Sequence, residues 1–172
     1  MSTGASTFDD ISKALRVLEG QGAKDITLLH CVSNYPAPVE DIHLNVILEL
    51  EARFGYPVGY SDHTLGNDCA VAATALGACV IEKHVTFDRY SSGPDHQASA
   101  TIEEFAELVR SIRIVERARG GRQKVFSAEE TKIRAAVRKS VVAARHLSQG
   151  EMISAGDILF KRPGTGLSPL TR

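Results

Sequence analysis

The chain has 172 residues, of which 43% are hydrophobic and 24% charged, as in an ordinary globular protein rather than a disordered or fibrous one. Its formal net charge of −1 gives no electrostatic reason to expect nucleic acid or an anionic membrane as a partner. No apolar run approaches the roughly 20 residues that cross a bilayer, and no basic-then-apolar leader opens the chain, so we expect a cytoplasmic protein with small-molecule partners.

The three cysteines, Cys31, Cys69 and Cys79, include no Cys-x-x-Cys pair that would indicate zinc or redox chemistry. Their number is odd, and we expect all three to be reduced and mostly buried. No pattern around Cys31 indicates an activated thiolate.

The first third of the chain predicts a helix followed by one strand-helix unit. Thr7 and Asp10 form the capping pattern of a helix start, and Gly20 marks the end of that helix. Residues 25–31 have the composition of a buried strand. Helical spacing returns over about 41–54.

Two further strand-helix units follow. Strands are predicted at 57–61 and 78–85, with an alanine-rich helix at 67–76 between them and a capping box at 101–104 that opens another helix. Strands separated by helices imply parallel pairing. The chain is therefore predicted to be α/β, either the last three strand-helix units of a (β/α)8 barrel or part of an open doubly wound sheet.

The character of the chain changes after residue 119. Residues 120–138 are predicted to be a polar linker and a short basic helix, and residues 139–172 a β-rich module. About thirty residues cannot bury much of a core of their own, so the module is expected to be truncated. The domain prediction is thus a partial barrel over 1–119, a linker over 120–138 and a small module over 139–172.

Two histidines close two neighbouring predicted strands. Residues 59–64 read Gly-Tyr-Ser-Asp-His-Thr, and residues 80–84 read Val-Ile-Glu-Lys-His. Parallel strands end at the same edge of a sheet, where ligands and metals bind in β/α folds, and side chains at i and i+2 share a face. The side chains expected to converge are Ser61, His63, Glu82 and His84. Asp62 and Lys83 are expected on the opposite face.

Five segments occur together in a recognisable order and spacing. They are residues 29–38, 59–64, 81–84, 93–96 and 161–164. As a set they strongly resemble the sialic acid synthase family, which makes N-acetylneuraminate and the related legionaminic and pseudaminic acids. The resemblance implies that this chain is the C-terminal part of the TIM barrel plus the start of the C-terminal antifreeze-like (SAF) domain.

The resemblance also implies a reaction. Phosphoenolpyruvate is joined to an N-acylated amino-sugar aldehyde such as N-acetylmannosamine, giving a nine-carbon α-keto acid and phosphate. The aldehyde oxygen needs a Lewis acid for its developing charge, which a divalent ion held by neutral imidazoles supplies. His63 and His84 match the family's metal ligands, for Mn²⁺ or Mg²⁺. Glu82 belongs to the active-site lining, where it could hold a water or a sugar hydroxyl.

Further residues match functional positions of the family. Three of them resemble phosphate contacts: Ser2, Ser33 and Ser61. Tyr35 and Asp95 match sugar-contacting positions, and Tyr35 joins Glu82 as a predicted catalytic residue. Arg162 matches an arginine that the C-terminal domain inserts into a partner's active site, which implies a domain-swapped homodimer.

Other interpretations stay open. Glu82 could form a structural ion pair, Tyr35 could pack on Pro36, and Asp95 could serve a turn alone. The lysine and the catalytic glutamate that the family draws from earlier strands have no counterpart here. The chain could therefore be an inactive fragment that binds only metal or sugar. A different metal-dependent aldolase on a similar barrel, with pyruvate as donor, is a further alternative.

Overall fold

Strands and helices alternate along the first of two units in the computed structural model, which describes residues 1–170. The first unit is Met1–Gly120, and the second begins at Gly121. The elements of the first unit are α1 (Phe8–Gly20), β1 (Leu28–Cys31), α2 (Val46–Phe54), β2 (Val58–Asp62), α3 (Asp68–Leu76), β3 (Ile81–Lys83) and α4 (Ile102–Arg119). Within residues 1–170, no helix has both the length and the apolar character needed to cross a membrane.

Capping boxes begin the first and last helices of this unit. The Thr7 hydroxyl accepts the Asp10 N–H at 3.2 Å, and the Asp10 carboxylate accepts the Thr7 N–H at 3.0 Å. Thr101 and Glu104 repeat this exchange at the start of α4. Both predicted helix starts are therefore confirmed. At the end of α2, Gly55 adopts φ 71°, a left-handed conformation that favours glycine.

The three strands form one parallel sheet in the order β1-β2-β3, which confirms the predicted parallel pairing. Single parallel bridges extend the sheet at both edges, one between Ser2 and Leu29 and the other between Val85 and Ala100. Short segments thus continue the sheet beside β1 and beside β3. The α/β prediction is confirmed at the level of parallel β-α units.

The core lies where α1 and α2 pack on β1 and β2. Its largest almost completely buried side chains are those of Leu28, Ile42, Ile47, Leu50 and Tyr60. Cys31 is buried and Cys69 half-buried, but Cys79 is exposed, so the expectation of burial is wrong for that residue. Cys79 precedes β3 at the outer side of the sheet, where its N–H pairs with Val58 of β2 at 2.8 Å and its side chain reaches solvent.

The second unit contains α5 (Ala128–Val137), β4 (Ser140–Ala143) and β5 (Ile158–Lys161). Ser127 caps α5 by accepting the Glu130 N–H, and the two strands pair antiparallel. Of the predicted 139–172 module, Thr171 and Arg172 lie outside the described residues. The assignment of this unit to an antifreeze-like domain stays a prediction.

Candidate functional site: two histidines at neighbouring strand ends

The candidate site lies at the carboxyl edge of the parallel sheet. β2 ends at Asp62 and β3 at Lys83, and these two residues pair in the ladder. His63 and His84 therefore leave adjacent strands at the same level. Their ring centroids are 5.4 Å apart, with an angle of 77° between the ring planes.

The His63 ring is held by the backbone of the residue that directly follows β1. Its Nδ1 lies 2.7 Å from the Val32 carbonyl oxygen. A carbonyl only accepts hydrogen bonds, so Nδ1 is the donor, and in the neutral ring Nε2 then carries the lone pair that a metal would bind. Ligating histidines in metalloproteins are oriented in this way by a partner on the second nitrogen. The Cys31 Sγ contacts the same Nδ1 at 3.8 Å.

Ser61 and Glu82 lie one step below the histidines on the same face. They are paired in the ladder, and the Ser61 hydroxyl donates to Glu82 Oε1 at 2.7 Å. Ser61 is buried, whereas Glu82 is exposed. The hydroxyl fixes one carboxylate oxygen and leaves the other available. Ser61 Oγ is also 3.4 Å from His63 Nε2.

Tyr35 covers both imidazoles. The Ala37 N–H donates to the His63 carbonyl at 2.9 Å, which docks the Tyr35 loop on the strand end. The Tyr35 ring centroid lies 4.1 Å from that of His63 and 5.4 Å from that of His84. Partial burial, followed by the charges of Cys31, Asp95 and Glu82, raises the pKa of Tyr35. Its phenol is therefore protonated at neutral pH and can donate a hydrogen bond.

Asp95 approaches the site from the long loop after β3. Its Oδ2 is 4.0 Å from His84 Nδ1, and its side chain is 57% exposed. The Ser99 hydroxyl donates to the Asp95 carbonyl at 2.6 Å and fixes the backbone at this point. The structure thus brings together Ser61, His63, Glu82, His84, Tyr35 and Asp95.

Ser2 and Ser33 lie on two segments that approach each other beside Gly4 and Cys31. A β-carbon built on Gly4 would overlap Ser33 Oγ and would lie 3.1 Å from Cys31 Sγ. The Ser2 hydroxyl is 3.4 Å from the Gly4 N–H. Glycine therefore permits the close approach of the two serine-bearing segments, and both hydroxyls are exposed.

Arg162 lies in the second unit, on an exposed turn directly after β5. The two histidines belong to the first unit. The predicted role of Arg162 at a partner's site stays a prediction.

Two features of the site were missed by sequence reasoning. The Val32 carbonyl orients His63, and a backbone contact of this kind has no residue-type signal. Asp62 and Lys83 form a buried ion pair on the opposite face, with Nζ and Oδ2 2.7 Å apart. Opposite charges at matching steps of two adjacent strands are a signal that could have predicted it.

The separation of the two imidazoles falls within the range that a shared metal ion requires. Among residues 1–170, no group of three or more His, Cys, Asp or Glu side chains is arranged to hold a metal ion. An ion about 2.1 Å from an imidazole nitrogen lies roughly 3.2 Å from the ring centre, so two ligating rings have centres at most about 6.4 Å apart. The observed 5.4 Å is inside that limit. A site built on these two residues would leave positions for water and substrate oxygens.

Fold and site together define an α/β protein of parallel β-α units with paired histidines at the ligand-binding edge. The model of the NeuB family matches residues 1–124. The chain belongs to the NeuB family. The match covers the first unit and ends shortly after it.

Curated relatives extend the similarity along nearly the whole chain. N,N'-diacetyllegionaminic acid synthase of Campylobacter jejuni is 45% identical over 172 residues, covering 99% of this chain and 52% of the relative. Human N-acetylneuraminate-9-phosphate synthase is 38% identical, covering 94% of this chain and 45% of the relative. The chain spans about half the length of the curated relatives it matches.

A solved structure shows the same fold. Putative spore coat polysaccharide biosynthesis protein E of Chromobacterium violaceum superposes with a TM-score of 0.72 at 30% identity, covering 94% of this chain and 49% of that one. N-acetylneuraminic acid synthetase of Leptospira borgpetersenii gives a TM-score of 0.70 at 34% identity, covering 77% of this chain and 46% of that one.

Proposed function

We propose that this chain carries the metal- and sugar-binding part of a synthase that condenses phosphoenolpyruvate with an N-acylated amino-sugar aldehyde. The products are a nine-carbon α-keto acid and phosphate. The observation that carries the proposal is the pair His63 and His84, with ring centres 5.4 Å apart at adjacent strand ends. Membership of the NeuB family and the similarity to legionaminic and neuraminic acid synthases support it.

The proposal includes a place for the chain in the family's architecture. The first unit corresponds to the last three strand-helix units of a TIM barrel, and the second to the opening of an antifreeze-like domain. The parallel order β1-β2-β3 supports the first assignment. The second is supported by relatives whose similarity continues beyond residue 124.

His63 and His84 would hold the metal ion, Mn²⁺ or Mg²⁺. When bound, such an ion supplies a Lewis acid that polarises the aldehyde oxygen of the sugar. His63 is suited to ligation because its Nδ1–H donates to Val32 and leaves Nε2 free. Two imidazoles would leave the remaining coordination positions to water and substrate oxygens, and imidazole together with oxygen ligands suits several divalent ions.

Tyr35 and Glu82 are the proposed catalytic pair. The protonated Tyr35 hydroxyl donates a hydrogen bond to an oxygen of the sugar, because its raised pKa keeps the proton in place. Glu82, held through one oxygen by Ser61, accepts from a sugar hydroxyl or a water with the other. Asp95 lies beside His84 and is placed to accept a further sugar hydroxyl.

The three serines are proposed to hold the phosphate group of phosphoenolpyruvate. Ser2 and Ser33 each lie beside Gly4, and Cys31, also beside Gly4, contacts His63. Hydroxyl groups and nearby backbone N–H groups can bind an anion without a fixed positive charge. The Ser61 hydroxyl lies beside His63 and would contact the same phosphate group from the side of the two histidines.

Arg162 is proposed to act in a partner subunit, which requires a homodimer with exchanged C-terminal domains. Its guanidinium is exposed on the turn after β5 and would offer paired donors to an acylated sugar. The proposal predicts that Arg162→Ala raises the KM for the sugar.

A binding-only fragment is the second candidate. It requires only the histidine pair and the neighbouring Asp95 side chain, which the first unit holds together. A metal-dependent aldolase that uses pyruvate is the third. Both share the histidine pair but not the release of phosphate.

A phosphate-release assay separates the candidates. The full chain is mixed with phosphoenolpyruvate, N-acetylmannosamine and Mn²⁺, and inorganic phosphate is measured with each component omitted in turn. Release that needs both substrates supports the synthase. Metal binding without release supports the binding-only fragment. Product formation from pyruvate would instead identify the aldolase.

A further inference from the structure

A buried ion pair lies on the face of the sheet opposite the histidines. Lys83 Nζ is 2.7 Å from Asp62 Oδ2, and the two side chains are 3% and 0% exposed. Charges at this depth are shielded from solvent and require full hydrogen bonding. The roles proposed above use neither residue.

The Asp62 carboxylate is fully engaged. Its Oδ1 accepts the Thr64 N–H at 2.9 Å, the Thr64 hydroxyl at 2.8 Å and the Tyr60 hydroxyl at 3.1 Å. The Lys83 ammonium also donates to the Thr64 carbonyl at 2.8 Å. The Lys83 ammonium group therefore binds both Asp62 and Thr64, the residues on either side of His63.

This contact lies where the regular pairing of strands stops. The ladder between β2 and β3 ends at Asp62 and Lys83. His63 and His84 are the next residues on each strand. The ammonium group extends the link between the two strands past the end of the ladder, to Thr64.

We propose that Lys83 is a positioning residue that, with Asp62, sets the separation of His63 and His84 and thereby the affinity for a divalent ion. The inference rests on the metal role proposed for the two histidines. Residues that orient metal ligands typically change metal affinity 10- to 100-fold when they are replaced.

The test uses the full chain with Asp62→Asn and Lys83→Met combined, which removes both charges at nearly constant volume. Mn²⁺ affinity is measured by electron paramagnetic resonance. The nuclear Overhauser effect between the two imidazoles is measured without metal, since ring centres 5.4 Å apart bring ring protons close together. Leu50→Ala is the control, because Leu50 is fully buried in the core and its loss lowers stability alone.

We expect the double variant to bind Mn²⁺ about 10- to 100-fold more weakly and to lose the imidazole signal, while Leu50→Ala keeps both. A folded double variant with parental affinity and signal would overturn the proposal. So would a double variant that unfolds while Leu50→Ala folds, since the pair would then support the sheet as a whole. If the parent binds no Mn²⁺, the proposed function fails, and the imidazole signal still decides whether the pair positions the rings.

Discussion

Gly59 lies in β2, two residues before Ser61, and replacing it with alanine tests how closely the three strands pack. A β-carbon at Gly59 would lie 2.6 Å from Leu29 Cδ2, 2.6 Å from the Val80 carbonyl oxygen and 2.9 Å from Val80 Cβ. The Leu29 side chain can turn aside. The Val80 carbonyl cannot, because it accepts the Tyr60 N–H at 2.8 Å as part of the pairing between strands.

The methyl group therefore forces β3 away from β2. Overpacking of this kind typically costs about 1–3 kcal/mol, and a stretched backbone hydrogen bond adds roughly 0.5–1.5 kcal/mol. The lower entropy of the unfolded alanine chain offsets about 0.4–1 kcal/mol. We expect Gly59→Ala to lower the free energy of unfolding by roughly 2 kcal/mol.

Urea denaturation followed by circular dichroism measures this change. Gly20→Ala is the matched control, because Gly20 ends α1 with ordinary φ and a methyl group there would meet no described atom within 4 Å. That substitution is expected to be neutral or to stabilise by up to about 1 kcal/mol. A Gly59→Ala variant within about 0.5 kcal/mol of the parent would refute the packing argument.

Three further predictions concern single residues. Burial lowers the pKa of His30, although the contact of the ring with the Ile42 carbonyl raises it in part. The neutral, buried His30 therefore stabilises the fold fully above about pH 6.5, the ordinary histidine pKa. This stabilisation is lost as the pH falls from there toward the lower pKa of the folded protein, because the unfolded chain then binds the proton first. In His30→Gln, the free energy of unfolding should therefore fall less between pH 7 and 5.5 than it does in the parent. An equal fall in both proteins would contradict the lowered pKa of His30. Thr101→Ala should lower the free energy of unfolding by about 1 kcal/mol through loss of the α4 cap, with Thr101→Ser restoring it; equal urea midpoints would rule this out. The ionisation of Tyr35 is obtained by subtracting the ultraviolet pH titration of Tyr35→Phe from that of the parent. The Tyr35 phenol should ionise above pH 10, the ordinary tyrosine pKa, and ionisation below pH 10 would contradict the raised pKa.

Local rules predicted much of the first unit. The capping boxes at Thr7 and Thr101 are fixed by two side chains three residues apart, so they can be recognised without tertiary information. The period of two in a strand placed Ser61 and Glu82 on the side of the histidines, where the structure has them in hydrogen-bond contact.

Contacts between distant segments could not be predicted in this way. The segment around Ser2 is too short for any periodicity, yet its backbone extends the sheet beside Leu29. The Tyr35 ring reaches the histidines because the Ala37 N–H binds the His63 carbonyl, a contact between backbone groups that are 26 residues apart. Such positions follow from the packing of the whole unit rather than from local propensity.

The most direct test of the account is Mn²⁺ binding by the full chain with His63→Ala and His84→Ala combined. The matched control is His43→Asn with His146→Ala, which removes two exposed imidazoles elsewhere. Electron paramagnetic resonance counts free Mn²⁺ at increasing protein concentration. The account predicts that parent and control bind one ion alike and that the His63/His84 variant binds none. Equal Mn²⁺ binding by that variant and the parent would contradict it.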